Sequence, residues 1–368
     1  MEAFVNDDAK LLREVEQALS RRRKDGLDGL VGNLAAVVIN VAEDDLVPAA
    51  EELLGGTSLR FEAALDHPLS PGGGPAILLR DLEGADFLLK SRPAGQPNPF
   101  AAYNGGHKTA GAPPGRLETF VFDCPDLARY VAIQRRRGVV FATPEAVVTD
   151  VFSYIETKPS AHTGNALGFI QWNGRPGAYL HGRSSRLPLA PATPDAATRP
   201  YLARIGGLDH VATRVRAAHR DAAIVEFLEL TNYRFDFAVY VESLNSITNV
   251  ARLRDGDYAQ VFTSGIASPE GGGDGGPTEA FIANYGLRPH HMAFSADGIE
   301  DVVAGLAAHG MGFLSELVGS REEGLKQIFS AMSPRTMLVN EYIERYDGFD
   351  GFFTKSNVTR LTKATENQ

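Results

Sequence analysis

The sequence predicts an α+β fold of two domains, each a curved mixed sheet with helices on its outer side. Three observations lead to this prediction. Residues 183–202 are rich in proline, alanine, serine and threonine, show little apolar periodicity, and divide the 368-residue chain into two halves. The halves repeat one another without a gap over a long stretch. Within each repeat, a short apolar strand leads through a turn into an amphipathic helix and then into the next strand.

The internal repeat defines the modules. Residues 120–141, "FVFDCPDLARYVAIQRRRGVVF", align with residues 292–313, "MAFSADGIEDVVAGLAAHGMGF", 172 positions later. The segments "RFEAA" and "RFDFA" lie at a similar offset, and "DHVA" and "HHMA" each start a strand that leads into a helix. We therefore expect four βαβββ-type modules, two in each half. The predicted domains are residues 1–182 and 203–368, with 183–202 as the linker.

Composition excludes several classes of protein. A hydrophobic content of 43% and a charged content of 22% are typical of a globular chain with a sizeable core. The net charge of −10, without a basic stripe, argues against nucleic-acid binding. No signal-peptide core and no long apolar run is present, so we expect a cytoplasmic protein without membrane contact. The single cysteine, Cys124, excludes an internal disulfide framework and a cysteine-rich metal site.

Two adjacent histidines, His290 and His291, begin the apolar stretch "HHMAFS". Successive side chains of a strand point to opposite faces. His291 therefore shares a face with the small residues Ala293 and Ser295, whereas His290 shares the packing face with Met292. This alternation predicts that His291 has free volume beside it and that His290 is a structural residue of the core.

A similar pattern surrounds His210 in "LDHVATRV". Alternation places His210, Ala212 and Arg214 on one face of that strand. Each of the two candidate histidines thus has an alanine two residues later on its own face. A single histidine in a strand is usually structural, but two at equivalent positions of two modules favour a pair of metal ligands. Two imidazoles suit Zn, Fe, Cu or Ni, and a third protein ligand is expected.

The third ligand is expected in the last strand, "TMLVNEYIERYDGF". Glu341 lies there on an otherwise apolar face, and a buried carboxylate is costly unless it is paired or binds a metal. Glu344 and Arg345 indicate a pair that faces solvent. His210, His291 and Glu341 would form a two-histidine, one-carboxylate set, which leaves coordination positions open for substrate and dioxygen.

These residues carry a family resemblance. The segments "GGLDHVATRV", "HHMAFSADGIEDVVAGLAAHGMGFL", "LKQIFSAM" and "NEYIERYDGFDGFF" resemble the second half of 4-hydroxyphenylpyruvate dioxygenases and hydroxymandelate synthases. Those enzymes belong to the vicinal oxygen chelate superfamily, with a glyoxalase/dihydroxybiphenyl dioxygenase-like fold. The resemblance extends from about residue 206 to the end of the sequence. The first half matches in module pattern alone, and the offset of 172 places Thr119 and Phe169 at the positions of His291 and Glu341.

The resemblance implies a reaction. Fe(II) would be held by His210, His291 and Glu341. A 2-oxo acid would chelate it through its carboxylate and keto oxygens, and O2 would take the remaining position. Oxidative decarboxylation would be coupled to hydroxylation of the same substrate, without a separate 2-oxoglutarate. The resemblance also implies that the chain forms homo-oligomers.

The resemblance further implies pocket roles for Gln327, Ser246, Phe352 and Phe353. The sequence departs from the family in two places. The segment before "LKQIF" is much shorter than usual, and the family's Pro-x-Asn-Glu segment is replaced by "VFTSGIASPE", where Thr263 and Ser264 are the nearest polar groups. These departures leave the substrate open between 4-hydroxyphenylpyruvate and another aryl or alkyl 2-oxo acid.

Other functions stay open on the sequence. An extradiol catechol dioxygenase would use the same ligands but needs an acid–base histidine in its pocket. His219 and His309 both lie in helical patterns, which argues against it. A non-catalytic small-molecule binding protein has no need of a complete ligand set. A zinc or nickel isomerase or lyase would use the same three residues, because residue type alone does not fix the metal.

Overall fold

A computed structural model describes residues 4–70, 72–82, 84–109, 114–180, 182, 184–269, 275–349, 351–366 and 368. These residues form four consecutive βαβββ modules, as the repeats predict. Helix α1 (Asp8–Asp25) precedes the first module. No helix among the described residues has the length and apolarity needed to cross a membrane.

The first half contains two modules. Module one comprises β1 (Leu34–Val41), α2 (Leu46–Gly56), β2 (Arg60–Asp66), β3 (Pro75–Arg80) and β4 (Asp86–Ser91). Module two comprises β5 (Arg116–Asp123), α3 (Leu127–Arg136), β6 (Val147–Val148), β7 (Phe152–Glu156) and β8 (Ala166–Trp172).

The second half repeats this order with two added helices. Module three comprises β9 (Ile205–Arg214), α4 (Arg220–Leu230), β10 (Arg234–Val241), β11 (Ser246–Arg252) and β12 (Ala259–Ser264). Module four comprises β13 (Pro289–Ala296), α6 (Ile299–Ala308), β14 (Val318–Ser320), β15 (Leu325–Phe329) and β16 (Val339–Arg345). Helix α5 (Gly276–Tyr285) connects modules three and four, and α7 (Lys355–Ala364) follows module four.

The two halves form eight-stranded mixed sheets of identical topology. The strand order is β2-β3-β4-β1-β5-β8-β7-β6 in the first and β10-β11-β12-β9-β13-β16-β15-β14 in the second. In each sheet the two modules meet at an antiparallel pair of first strands, β1 with β5 and β9 with β13. The first strand of each module also runs parallel to its own last strand, so the centre of the second sheet is built from β12, β9, β13 and β16.

The strand register corrects one equivalence expected from the repeat. His291 pairs with Val339, two residues before Glu341, whereas Thr119 pairs with Ala166. The counterpart of Glu341 is therefore Gly168, and the prediction of Phe169 was wrong by one residue. The offset of 172 holds along the first strand and helix of the module but changes by one before its last strand. A shift of one residue reverses the face of a strand, so Phe169 points into the core instead.

The two sheets share one hydrophobic core. The ring of Phe122 packs on Phe227 with centroids 5.9 Å apart, and that of Phe87 packs on Phe294 at 6.0 Å. The hydroxyl of Tyr342 donates to a carbonyl of the first half, Gly56 O, at 2.7 Å. The halves are thus in extensive contact, and the domain limits at 182 and 203 remain a prediction.

Helix α7 lies across the open side of the second sheet. Its N-terminus is capped by Thr354, whose side chain accepts from the Asn357 amide at 3.2 Å. Val358 and Leu361, one turn apart, are buried, whereas Lys355 and Lys363 are exposed. The apolar stripe therefore faces inward and closes the space enclosed by the sheet.

Candidate metal centre

The structure brings His210, His291 and Glu341 together from three neighbouring central strands, β9, β13 and β16. Glu341 Oε2 lies 3.2 Å from His210 Nε2 and 3.2 Å from His291 Nε2. One ligand atom from each residue lies within 4.8 Å of the other two, and all three residues are buried. Among the described residues this is the one group of three or more such side chains with suitable spacing.

Asp209 and Arg345 orient His210. Asp209 Oδ1 lies 2.7 Å from His210 Nδ1, and Arg345 donates to both carboxylate oxygens of Asp209, at 2.6 and 3.1 Å. Although burial opposes ionisation, these contacts hold the pKa of Asp209 well below its usual range. An ionised carboxylate can only accept, so Nδ1 carries a proton and Nε2 is directed at the site.

His290 and Gln368 orient His291 in the same way. Gln368 Oε1 lies 2.7 Å from His290 Nε2, and His290 Nδ1 lies 2.8 Å from His291 Nδ1. An amide oxygen only accepts, so His290 carries its proton on Nε2 and accepts at Nδ1 from His291. The proton on His291 Nδ1 leaves the Nε2 lone pair directed at Glu341. Burial, followed by the charges of His290, His210 and Arg214, holds the pKa of His291 well below its usual range.

Both orienting residues lie where the pairing of β9 with β13 slips. His210 pairs with Ala293 but Leu208 with Phe294, which leaves Asp209 as an extra residue. On the facing strand, His290 is the extra residue between the paired positions of Pro289 and His291. A bulge of this kind redirects a side chain from the face that alternation assigns to it. Asp209 and His290 can therefore reach the histidine that follows each of them.

Glu341 is held through its second oxygen. Gln327 Nε2 donates to Glu341 Oε1 at 2.5 Å, and Asn357 Nδ2, on α7, donates to Gln327 Oε1 at 3.1 Å. Oε1 is thereby occupied, and Oε2 faces both histidine nitrogens. The chain of amides also connects the position of this carboxylate to the position of α7.

The donor set fits a divalent metal ion. Two imidazole lone pairs and one carboxylate oxygen converge, and His210 Nε2 is fully buried without a hydrogen-bond partner. Such a convergence is unfavourable unless a cation lies between the three atoms. Burial lowers the pKa of His210, but Glu341 and Asp209 outweigh it and raise the pKa to about 9. A proton thus takes the place of a cation in the metal-free protein.

A cavity of about 40 Å³ is lined by two of the three candidate ligands, His291 and Glu341. Its walls include Gln327 and Phe329 of β15, Thr248 of β11 and Thr263 of β12, and it is covered by Phe353 and by α7. Because strands from both modules line it, the second sheet is curved around it. A cavity of this size has room for a few water molecules at most, since one water needs about 10 to 15 Å³ of such space.

The residues expected in the pocket fall in different places. Gln327 and Phe353 line the cavity, and the Phe352 and Phe353 rings lie 5.4 and 5.2 Å from the His210 ring. Ser246 is fully buried at the start of β11, but Thr248, two residues later on the same face, is the residue that lines the cavity. Thr263 lies on the wall, as its position in the sequence indicated.

The sequence analysis did not predict several contacts around the site. The expected solvent-facing pair of Glu344 and Arg345 was wrong, because Arg345 binds Asp209 while Glu344 accepts from the Ile299 amide at 2.7 Å. Alternation had placed Arg214 on the His210 face without assigning it a role, and Arg214 also lines the cavity. No pattern in the sequence indicated the contact of Gln368 with His290.

The two histidines considered as acid–base groups, His219 and His309, do not line the cavity. His219 packs against His162, with ring centroids 5.2 Å apart, and His309 is exposed at the C-terminal end of α6, directly after its last residue. Among the described residues that line the cavity, the one histidine is His291 itself. The arrangement therefore lacks the additional histidine expected of an extradiol enzyme.

The fold resembles that of two solved enzymes. One is a triple mutant of 4-hydroxymandelate synthase from Streptomyces coelicolor, with a TM-score of 0.65 and 18% identity over 91% of this chain and 98% of that one. The other is a xylose isomerase-like TIM barrel/4-hydroxyphenylpyruvate dioxygenase fusion protein, with a TM-score of 0.63 and 16% identity. This chain is covered to 97% and spans 58% of the fusion protein. No protein-family model and no curated protein matches the sequence. The predicted vicinal oxygen chelate fold is confirmed.

Proposed function

We propose that this protein is a non-haem Fe(II)-dependent dioxygenase that oxidatively decarboxylates a 2-oxo acid and hydroxylates the same substrate. The observation that carries the proposal is the convergence of His210 Nε2, His291 Nε2 and Glu341 Oε2 in a buried pocket. Three protein ligands on one side leave positions for a chelating substrate and for O2. The activities in the titles of the two similar structures, a hydroxymandelate synthase and a hydroxyphenylpyruvate dioxygenase, are consistent with it.

The overall reaction balances on O2 alone. The substrate loses its carboxyl carbon as CO2, its keto carbon becomes the new carboxylate, and a C–H bond elsewhere in it becomes C–OH. One oxygen atom of O2 enters each of these two groups, so the substrate supplies all four electrons. Bound Fe(II) would supply the Lewis acidity and the redox chemistry of this step.

The chain's own residues orient and enclose the reacting groups. Arg345 and Asp209 keep the His210 proton on Nδ1, and Gln368 and His290 do the same for His291. Gln327 and Asn357 fix Glu341. Phe329, Phe353 and α7 form apolar walls of the cavity. A substrate larger than the 40 Å³ cavity requires α7 and Phe353 to move outward on entry.

Oxygen uptake tests the proposal. Protein reconstituted with Fe(II) would be assayed against aryl and alkyl 2-oxo acids and against catechols, with CO2 release measured in parallel. We expect uptake with a 2-oxo acid, matched by CO2, and its loss in His291→Ala but not in the exposed control His309→Ala. Uptake with catechols alone would assign the protein to the ring-cleaving enzymes. Iron bound without uptake on any substrate would leave a binding protein.

A further inference from the structure

The candidate site contains a buried cation to which the proposed reaction assigns no role. Arg214 lies at the end of β9, on the same strand face as His210, and is 3% exposed. It lines the cavity together with His291 and Glu341. Arg214 is four residues from His210, so about 13 Å of strand separates their Cα atoms. Arg214, His291 and Glu341 therefore line one cavity, and Arg214 is displaced along the strand from His210.

In the part of the chain that the structure describes, Arg214 has no anionic partner. Among the described residues no carboxylate lies within 4.0 Å of it; its hydrogen-bond acceptors are the hydroxyls of Thr278, at 2.6 Å, and Thr365, at 3.3 Å. Its Nε is fully buried without a partner. By contrast, the equally buried Arg220 binds both Asp8 and Asp221.

The lack of a counter-ion is energetically unfavourable in the absence of a ligand, and the Phe281 ring, whose centroid lies 5.7 Å from Arg214 Cζ, offsets it only in part. An ionised group is strongly destabilised when it is removed from water without a counter-ion. Burial lowers the pKa of Arg214 to about 10, so the group remains a cation at neutral pH. The planar guanidinium presents parallel N–H donors that match the two oxygens of a carboxylate.

The charges in the cavity point to an anion of charge −2. A divalent metal on two neutral histidines and the Glu341 carboxylate has a net charge of +1, and Arg214 adds another. Asp209 and Arg345 neutralise one another and leave this sum unchanged. The carboxylate of a 2-oxo acid on the metal would cancel one of the two positive charges. A second acidic group is needed to cancel the other.

We propose that the substrate of this site is a 2-oxo acid with a second, distal carboxylate, and that Arg214 binds this carboxylate. The inference rests on the proposed function, because it places the 2-oxo acid end of the substrate on the metal. It makes Arg214 a specificity-determining residue that discriminates between dianionic and monoanionic 2-oxo acids.

Ligand binding without turnover tests this assignment. Protein loaded with Co(II) under anaerobic conditions would be titrated with 2-oxo dicarboxylates of five to eight carbons and with the 2-oxo monocarboxylates of the same lengths. Changes in the Co(II) absorption spectrum report the Kd. We expect one dicarboxylate to bind about 30-fold or more tightly than its monocarboxylate partner, as for a charge-assisted hydrogen bond in a buried site.

Substitution locates the preference. In Arg214→Gln the two acids of that length are expected to bind within about threefold of one another, Arg214→Lys should retain part of the preference, and the exposed control Arg254→Gln should retain all of it. Equal Kd values for both acids in the wild type would overturn the proposal, even if Arg214→Gln does not fold. So would a preference that survives in a folded Arg214→Gln, or an equal weakening of both acids, which would indicate that Arg214 merely fixes α7 through Thr365. Failure of Co(II) to bind would instead remove the proposed function itself.

Discussion

The substitution Asp209→Asn tests how the protein prepares His210 for a metal. Asp209 Oδ1 accepts from His210 Nδ1 while both its oxygens accept from Arg345. An asparagine that keeps its oxygen toward His210 turns its NH2 group toward the guanidinium, where donor meets donor. In the flipped orientation the NH2 group faces Nδ1 and favours a proton on Nε2, the atom that must bind the metal.

Either orientation of the asparagine is expected to weaken metal binding. Loss of the partner that orients a ligating histidine costs about 10- to 100-fold in metal affinity. That range corresponds to about 1.4 to 2.7 kcal/mol of binding free energy. The ligand atoms themselves are unchanged, so the stoichiometry of one metal per chain should persist.

The assay is an anaerobic titration of Co(II) in competition with a chromophoric chelator, with thermal unfolding of the metal-free protein as a check on folding. Asp255→Asn, at a side chain that is 90% exposed, is the matched control and should leave the affinity unchanged. If folded Asp209→Asn binds Co(II) as tightly as the wild type, the hydrogen bond from His210 Nδ1 to Asp209 does not prepare His210 for the metal.

Three further predictions follow from the same contacts. The folded-state pKa of His210 is about 9, above the unfolded value of about 6.5, so its contribution to stability is complete below pH 6.5 and is lost as the pH rises through 9. Unfolding of the metal-free protein should thus require about 3 kcal/mol less at pH 9.5 than at pH 6.5, and the decrease should be smaller in Glu341→Gln; equal slopes would contradict this. His290→Phe leaves the second ligand histidine without an acceptor, and we expect about tenfold weaker Co(II) binding, measured against His309→Ala. Tyr342→Phe removes a buried hydrogen bond between the halves and should lower the free energy of unfolding in urea by about 1 to 2 kcal/mol; no change would mean that water replaces the hydroxyl.

Periodicity was sufficient to predict the architecture and to single out the three side chains, His210, His291 and Glu341, that the structure brings together. The four modules follow from an ungapped repeat, and β16 presents Glu341 on the face that alternation assigns to it. The side-chain period of two makes this prediction robust wherever a strand is regular. The position equivalent to Glu341 in the first half was off by one, because an alignment along β5 and α3 gives no information on the loops before β8.

Alternation along the strands could not predict the residues that orient the two histidines. Asp209 and His290 lie at register shifts between β9 and β13, where strict alternation fails. Arg345 and Gln368 approach from other parts of the chain, so their contacts depend on tertiary packing that no local pattern encodes. The lack of a carboxylate beside Arg214 among the described residues is also a tertiary property, because it depends on how distant parts of the chain pack.

The position of bound iron in a crystal structure tests directly whether His210, His291 and Glu341 hold the metal. Crystals of the protein grown anaerobically with Fe(II) would be measured above and below the iron absorption edge. We predict one anomalous peak per chain, in bonding contact with His210 Nε2, His291 Nε2 and Glu341 Oε2, and its absence in His291→Ala. A peak at any other position, or no peak between these three atoms in fully iron-loaded protein, would show that these residues do not bind the iron.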